Sequence, residues 1–73
     1  MKLNNNLRKY RLEHNEISQQ DLANEIGVTR LTIHSIEKGK FIHSTLLALK
    51  LANFFNVKVE DIFYLSNEEE RIK

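Results

Sequence analysis

The sequence has 73 residues, with 11 Lys/Arg against 10 Asp/Glu for a net charge of +1, and it contains no cysteine. A chain of this length forms one small domain that buries roughly 60% of its unfolded surface, and without thiols it has neither a disulfide frame nor a Cys-based zinc site to staple it. No apolar run approaches the about 20 residues a membrane helix needs, and the opening MKLNNNLRKYRLEHN lacks a signal-peptide core, so the sequence predicts a soluble, cytoplasmic protein.

Two glycines, no proline, no Asn-Gly pair and no usefully alternating apolar stretch predict an all-α domain, a compact bundle of five helices within residues 1–66. The first helix is expected over about 5–14, capped by one of Asn4, Asn5 or Asn6. Leu7, Tyr10 and His14, with Leu3 upstream, share a helical spacing and form its inner face. Leu12 falls on the other side, while Arg8, Lys9 and Arg11 project elsewhere, Lys9 as part of a solvated basic face.

The stretch ISQQDLANEIGVTRLTIHSIEKG, residues 17–39, carries two short helix signatures joined at one glycine. Ser18 is placed as an N-cap with Asp21 at the reciprocal capping-box position, and Ile17 and Leu22 are spaced as a hydrophobic staple. This helix, about 19–26, ends at Gly27, where the left-handed conformation suits a residue without Cβ. Thr29 then caps a helix over about 30–38, Val28 staples onto Ile33, and Gly39 supplies the stop. Ala23 stands where the two helices must cross closely. A tight corner of this kind presents its second helix outward. At about 100° per residue, Thr29, Ile33 and Ile36 fall on the core side of that helix, whereas Leu31, Ser35, Lys38, His34 and, at the margin, Arg30 face away. Donors, cations and one methyl-rich side chain on an outward face match what base edges offer in a major groove.

Lys40, Phe41, Ile42 and His43 form a loop with a cation and two apolar anchors before Ser44 caps a fourth helix over about 45–55. That helix is apolar almost all round, which places it in the middle of the bundle. Asn56 suits a left-handed C-terminal position. A last helix, about 59–64, sets Val59, Ile62 and Phe63 on one side, with Glu60 and Asp61 near its positive end. Phe63, Tyr64 and Leu65 either plug the core or form a surface for self-association, and residues 67–73 make a charged, frayed tail. Charge is unevenly spread. Seven Lys/Arg meet five acids up to His43, whereas Glu60 to Glu70 holds five acids and no base, an asymmetry that orients a molecule in the field of a polyanion.

Gln19 opening a helix, Ala23 four residues on, Gly27 at the turn, inward Ile33 and Ile36, and the ending Ile36-Glu37-Lys38-Gly39 resemble the helix-turn-helix of the phage repressor and Cro (XRE-type) family. The likeness continues through Leu47-Ala48-Leu49-Lys50-Leu51-Ala52 and Asn56 to Phe63, so that it covers Leu7 to Leu65. It implies a lambda-repressor-like fold and a sequence-specific, double-stranded DNA-binding regulator, a repressor, acting as a homodimer on a palindromic operator. It also implies roles for individual residues. Arg30, Leu31 and Ser35 occupy base-reading positions; Gln19 and Thr29 bind phosphate at helix N-termini; Thr32 and His34 flank the groove; Lys38 and Lys40 meet phosphates. Arg11, or Arg8, pairs with Glu37 and locks the first helix to the third. The sequence departs from the family pattern at three points. The stretch between Arg11 and Gln19 is one residue longer, His43 replaces a proline, and Lys58 replaces a Ser/Thr cap, a change worth about 1 kcal/mol.

His14, His34 and His43 are scattered over three elements, and no nucleophile–base pair or phosphate-cradling loop is visible, which argues against an enzyme, a metal site, a cofactor or a small-molecule ligand. The competing expectation is an antitoxin-like or adaptor module that uses the same fold to grip a protein through Phe63-Tyr64-Leu65 and the acidic tail.

Overall fold

Side-chain caps set where most of the helices begin. The computed structural model describes residues 2–39 and 44–66, in the order β1 (Lys2–Asn5), α1 (Leu7–Glu13), α2 (Gln19–Ile26), α3 (Arg30–Glu37), α4 (Thr45–Phe55), α5 (Val59–Ile62) and β2 (Phe63–Ser66). Ser18, Thr29 and Ser44 each accept from the backbone N–H three residues on, at 3.0, 3.3 and 3.0 Å, and so start α2, α3 and α4. Gly27 stops α2 at φ 89°, and Asn56 stops α4 at φ 58°. Before α5, where Lys58 has no capping hydroxyl, Asp61 reaches back to accept from the Lys58 N–H at 3.1 Å, which offsets part of the lost cap.

The fold is a five-helix domain with one addition to the all-helical expectation. β1 and β2 pair antiparallel, with Leu3 opposite Leu65 and Asn5 opposite Phe63. The strand at Phe63–Ser66 ends α5 at Ile62 instead of Tyr64, and the strand at Lys2–Asn5 delays α1 until Leu7. The Asn4-Asn5-Asn6 run sews the sheet to the helices. Asn4 Nδ2 donates to Ser66 Oγ at 2.6 Å, Asn5 Nδ2 to the Ile36 carbonyl at 2.8 Å and Asn6 Nδ2 to the Asp61 carbonyl at 3.2 Å. Asn6 stands at the N-cap of α1 without a side-chain cap bond, and Asn5 Oδ1 accepts from the Leu7 N–H at 3.0 Å in its place.

Leu7, Leu22, Ile33, Ile36, Leu51 and Ile62 are the large, fully enclosed side chains, with Ala23 buried at the α2–α3 crossing. Three expectations about helix faces change. On α3, Thr29 falls by periodicity on the core side with Ile33 and Ile36 but is exposed, because as the N-cap it has an extended backbone and lies outside the helical period. On α1 the inner stripe is Leu7 and Arg11, one turn apart, so Arg11 is buried instead of projecting, while Leu3 and His14 are exposed. His14 lies against the rings of Phe54 and Phe55, at centroid separations of 4.9 and 5.6 Å. On α4, Leu47, Leu51 and Ala52 turn inward but Leu46 and Leu49 remain 62% and 53% exposed, so the helix covers one side of the core instead of forming its centre. Its neighbours are α2 and α5, and Phe54 and Phe55 at its end meet Tyr10 and His14. Among the described residues no helix is long and apolar enough to cross a membrane.

Candidate nucleic-acid interface

The corner between α2 and α3 follows from the residues at its hinge. Gly27 donates to the Ala23 carbonyl at 2.8 Å and Val28 to the same carbonyl at 2.9 Å, closing α2 within one residue and turning the chain sharply into Thr29. Thr29 Oγ1 accepts from the Thr32 N–H and lies 3.1 Å from the Thr32 hydroxyl, fixing the first turn of α3. Ile33 and Ile36 are sunk in the core and hold the helix from below. Its opposite side stays open, with Arg30 exposed, Leu31 64% exposed, and Thr32, His34 and Ser35 half-buried. Thr29 and Lys38 are exposed at the two ends. Lys40 and the rest of its loop lie outside the described residues.

A polar network lies under this surface. Arg11 donates from Nε to Glu37 Oε2 at 2.6 Å and from Nη2 to Oε1 at 3.1 Å, while its Nη1 donates to the Ile17 carbonyl at 2.9 Å. The longer stretch after Arg11 is taken up by Asn15 and Glu16, both left-handed at φ 56° and 53°, which returns the chain so that this carbonyl meets the guanidinium. Gln19 Nε2 donates to Glu37 Oε1 at 3.1 Å, and Gln19 Oε1 accepts from Arg30 Nη1 at 3.3 Å. The amide orientation of Gln19 is set by its neighbours, because its nitrogen must face the carboxylate and its oxygen is thereby left for the guanidinium. The line Arg11–Glu37–Gln19–Arg30 therefore runs from the buried base of α1 to the exposed start of α3. His34 Nδ1 lies 3.5 Å from the same Gln19 nitrogen.

The structure brings Gln19, Arg30 and His34 together across the α2–α3 corner and joins Thr29 to Thr32 at the first turn of α3, while Leu31 and Ser35 lie along the same helix and Lys38 follows its end. It does not bring Phe63 to the surface with Tyr64 and Leu65. Phe63 is 8% exposed and belongs to the core, whereas Tyr64 and Leu65 are 41% and 64% exposed. Sequence reasoning missed Asn5, whose amide holds the carbonyl of Ile36 near the end of α3. The signal was the run of three asparagines before the first helix. Among the described residues no three His, Asp or Glu side chains gather as a metal set.

A helix-turn-helix family profile matches residues 7–62. The chain is similar to an uncharacterised HTH-type transcriptional regulator of Methanocaldococcus jannaschii, with 51% identity over 67 residues that span 92% of this chain and all of that protein. It is 49% identical over 51 residues to one of Bacillus subtilis, covering 70% of this chain and 77% of the relative. A third, from Archaeoglobus fulgidus, is 44% identical over 63 residues, covering 86% of this chain and 87% of its own.

Proposed function

The chain belongs to the helix-turn-helix family as a DNA-binding transcriptional regulator of the XRE type, and from that premise we propose that it reads a palindromic operator as a homodimer and acts as a repressor. Each subunit lays α3 in the major groove, with Arg30 bidentate to guanine O6 and N7, Leu31 against a thymine methyl and Ser35 as a weaker reader. The observation that carries this reading is the exposed Arg30–Leu31 edge, held on a helix anchored from below by Ile33 and Ile36. Gln19 and Arg30, the first residues of α2 and α3, share a hydrogen bond; each helix N-terminus favours a phosphate, and Lys38 supplies a further cation. Two such helices on a two-fold axis enter successive grooves about 34 Å apart. Occupying a promoter is enough to repress it, and this action requires a cytoplasmic location.

Selection of bound duplexes from a random library tests the proposal in one step. The expected result is an inverted repeat with a guanine under Arg30, and affinity that falls steeply with salt because about four to six phosphate contacts per dimer release counterions. Binding that is equal at low and high salt, or no enrichment from the library, would overturn it and return the adaptor reading.

A further inference from the structure

His34 stands against the hydrogen-bonded line that ends on Arg30, at the amide that donates and accepts within it. Gln19 Nε2 donates to Glu37 Oε1 at 3.1 Å, and Gln19 Oε1 accepts from Arg30 Nη1 at 3.3 Å. His34 Nδ1 lies 3.5 Å from the same Gln19 nitrogen. A ring nitrogen facing an N–H must present its lone pair, so the contact suits a neutral, half-buried ring with its proton on Nε2. Turning the amide over would set its oxygen against the Glu37 carboxylate and its nitrogen against the Arg30 guanidinium. Three neighbours therefore fix one amide, and that amide ties Arg30 by Nη1 alone. Among the described residues Nε and Nη2 of Arg30 stay open, which leaves one edge of the guanidinium for the two acceptors of a guanine.

We propose that His34 is a positioning residue for base reading, whose proton controls the grip of Gln19 on Arg30; this rests on the reading role given to Arg30 above. Histidine is the side chain whose charge ordinarily changes between pH 5 and 8. Protonation puts an N–H on Nδ1 where the Gln19 N–H already points, and two donors do not satisfy each other. The charged ring needs an acceptor. It either draws the Glu37 carboxylate, one turn on along α3, away from Gln19, or turns the Gln19 oxygen toward itself and away from Arg30. Both outcomes end the arrangement that fixes Gln19 Oε1 on Arg30. The other charges that bear on the ring are Arg30 and Lys38, one turn before and one turn after it, and Arg11 of α1, which reaches it through Glu37. The contact from α2 is the uncharged Gln19. Acid therefore loosens Arg30, while the charge gained at His34 adds attraction for phosphate. Discrimination between bases falls without a matching loss of affinity for duplex.

Anisotropy titrations of the full chain on two duplexes that differ only at the guanine assigned to Arg30 read the effect at about pH 8 and about pH 5.5. The ratio of the two affinities should fall by about tenfold from the higher pH to the lower, as expected for the loss of one bidentate base contact. His34→Asn, whose Oδ1 accepts at either pH, should give a ratio that no longer changes with pH. The sequence holds three histidines, so His14→Gln serves as the control and should keep the wild-type change. A clear preference that stays constant with pH in wild type, or one that still changes in His34→Asn, would overturn the proposal. In the free wild-type chain, the side-chain amide resonances of Gln19 should shift together with those of the His34 ring. Amide resonances that stay put as the ring titrates would overturn it as well, whether or not His34→Asn folds. If wild type prefers neither duplex at the higher pH, the base-reading role of Arg30 fails, and the control of Gln19 by His34 stands or falls on the amide resonances alone.

Discussion

Arg11 grips Glu37 with two nitrogens from the inner face of α1, and both side chains are nearly sealed from solvent, at 10% and 6% exposure. The pair ties α1 to the last residue of α3, so its chemistry bears on both. A bidentate guanidinium neutralises the carboxylate, and Oε1, which accepts from Arg11 Nη2, accepts from Gln19 as well and so orients that amide.

Removing one partner should be far worse than removing both. Arg11→Met leaves the Glu37 charge buried without compensation, and about 3–5 kcal/mol of stability should be lost. That is a large part of the about 5–15 kcal/mol typical of a small domain. Arg11→Met with Glu37→Met should recover most of it, because apolar side chains of similar volume replace the pair. Urea unfolding followed by circular dichroism reads both. A single variant whose stability matches wild type would show that the pair carries little.

Arg30 and Lys38 should fail in different ways. On the proposed reading Arg30 contacts a base, so Arg30→Ala should weaken binding to the selected site by about 1–3 kcal/mol and relax preference at one position in each half-site. Replacing Lys38 with Ala should weaken binding to all sequences alike and lower the salt slope by about 1 for each phosphate that this lysine neutralises. Anisotropy titrations over a salt series on the selected and a scrambled duplex separate the two. Identical behaviour of the variants would remove the distinction between reading and positioning.

Backbone conformation makes two opposite predictions. Glu16 holds φ 53° directly after Asn15 at 56°, a region that a side chain with a Cβ enters reluctantly. Glu16→Gly should relieve that cost and stabilise the fold by up to about 1 kcal/mol. At Gly27, φ is +89° and an added Cβ would meet nothing within 4 Å, so Gly27→Ala should destabilise by about 1–2 kcal/mol through backbone strain alone. Thermal unfolding decides, and a stabilising Gly27→Ala would contradict the assignment of the turn.

Much of this was legible because the signals are local. Ser18, Thr29 and Ser44 cap within three residues of themselves, and Gly27 and Asn56 stop helices by conformations that few other residues favour. The α3 face followed from helical periodicity, and Ile33 and Ile36 are buried where that period puts them. The sheet was not legible, since Lys2–Asn5 finds its partner at the far end of the chain and its asparagines disfavour strands. Arg11 defied the rule that charges face outward, and its pairing with Glu37, 26 residues on, follows only from the family resemblance and not from any local pattern. The surface on α4 at Leu46 and Leu49 was misread for a related reason, since composition reports how apolar a helix is and not how many neighbours the fold supplies.

Asn5 is the least conspicuous of these long-range ties, and its replacement should be the most informative. Its amide nitrogen satisfies the Ile36 carbonyl near the end of the reading helix, while its oxygen caps α1 through Leu7. Asn5→Ala therefore loses a cap worth about 1 kcal/mol and leaves a part-buried carbonyl unmet at a further cost of about 1 kcal/mol. The neighbouring Asn6 makes one exposed bond to the Asp61 carbonyl, at 3.2 Å, and no side-chain cap. Asn6→Ala should accordingly stay within about 0.5 kcal/mol of wild type. The two residues are adjacent, chemically identical and equally remote from α3 in sequence, so propensity and composition predict the same loss for both. A clear gap in their unfolding midpoints would locate the stability in the Ile36 and Leu7 bonds of Asn5, and equal midpoints would mean that those bonds do not hold the reading helix in place.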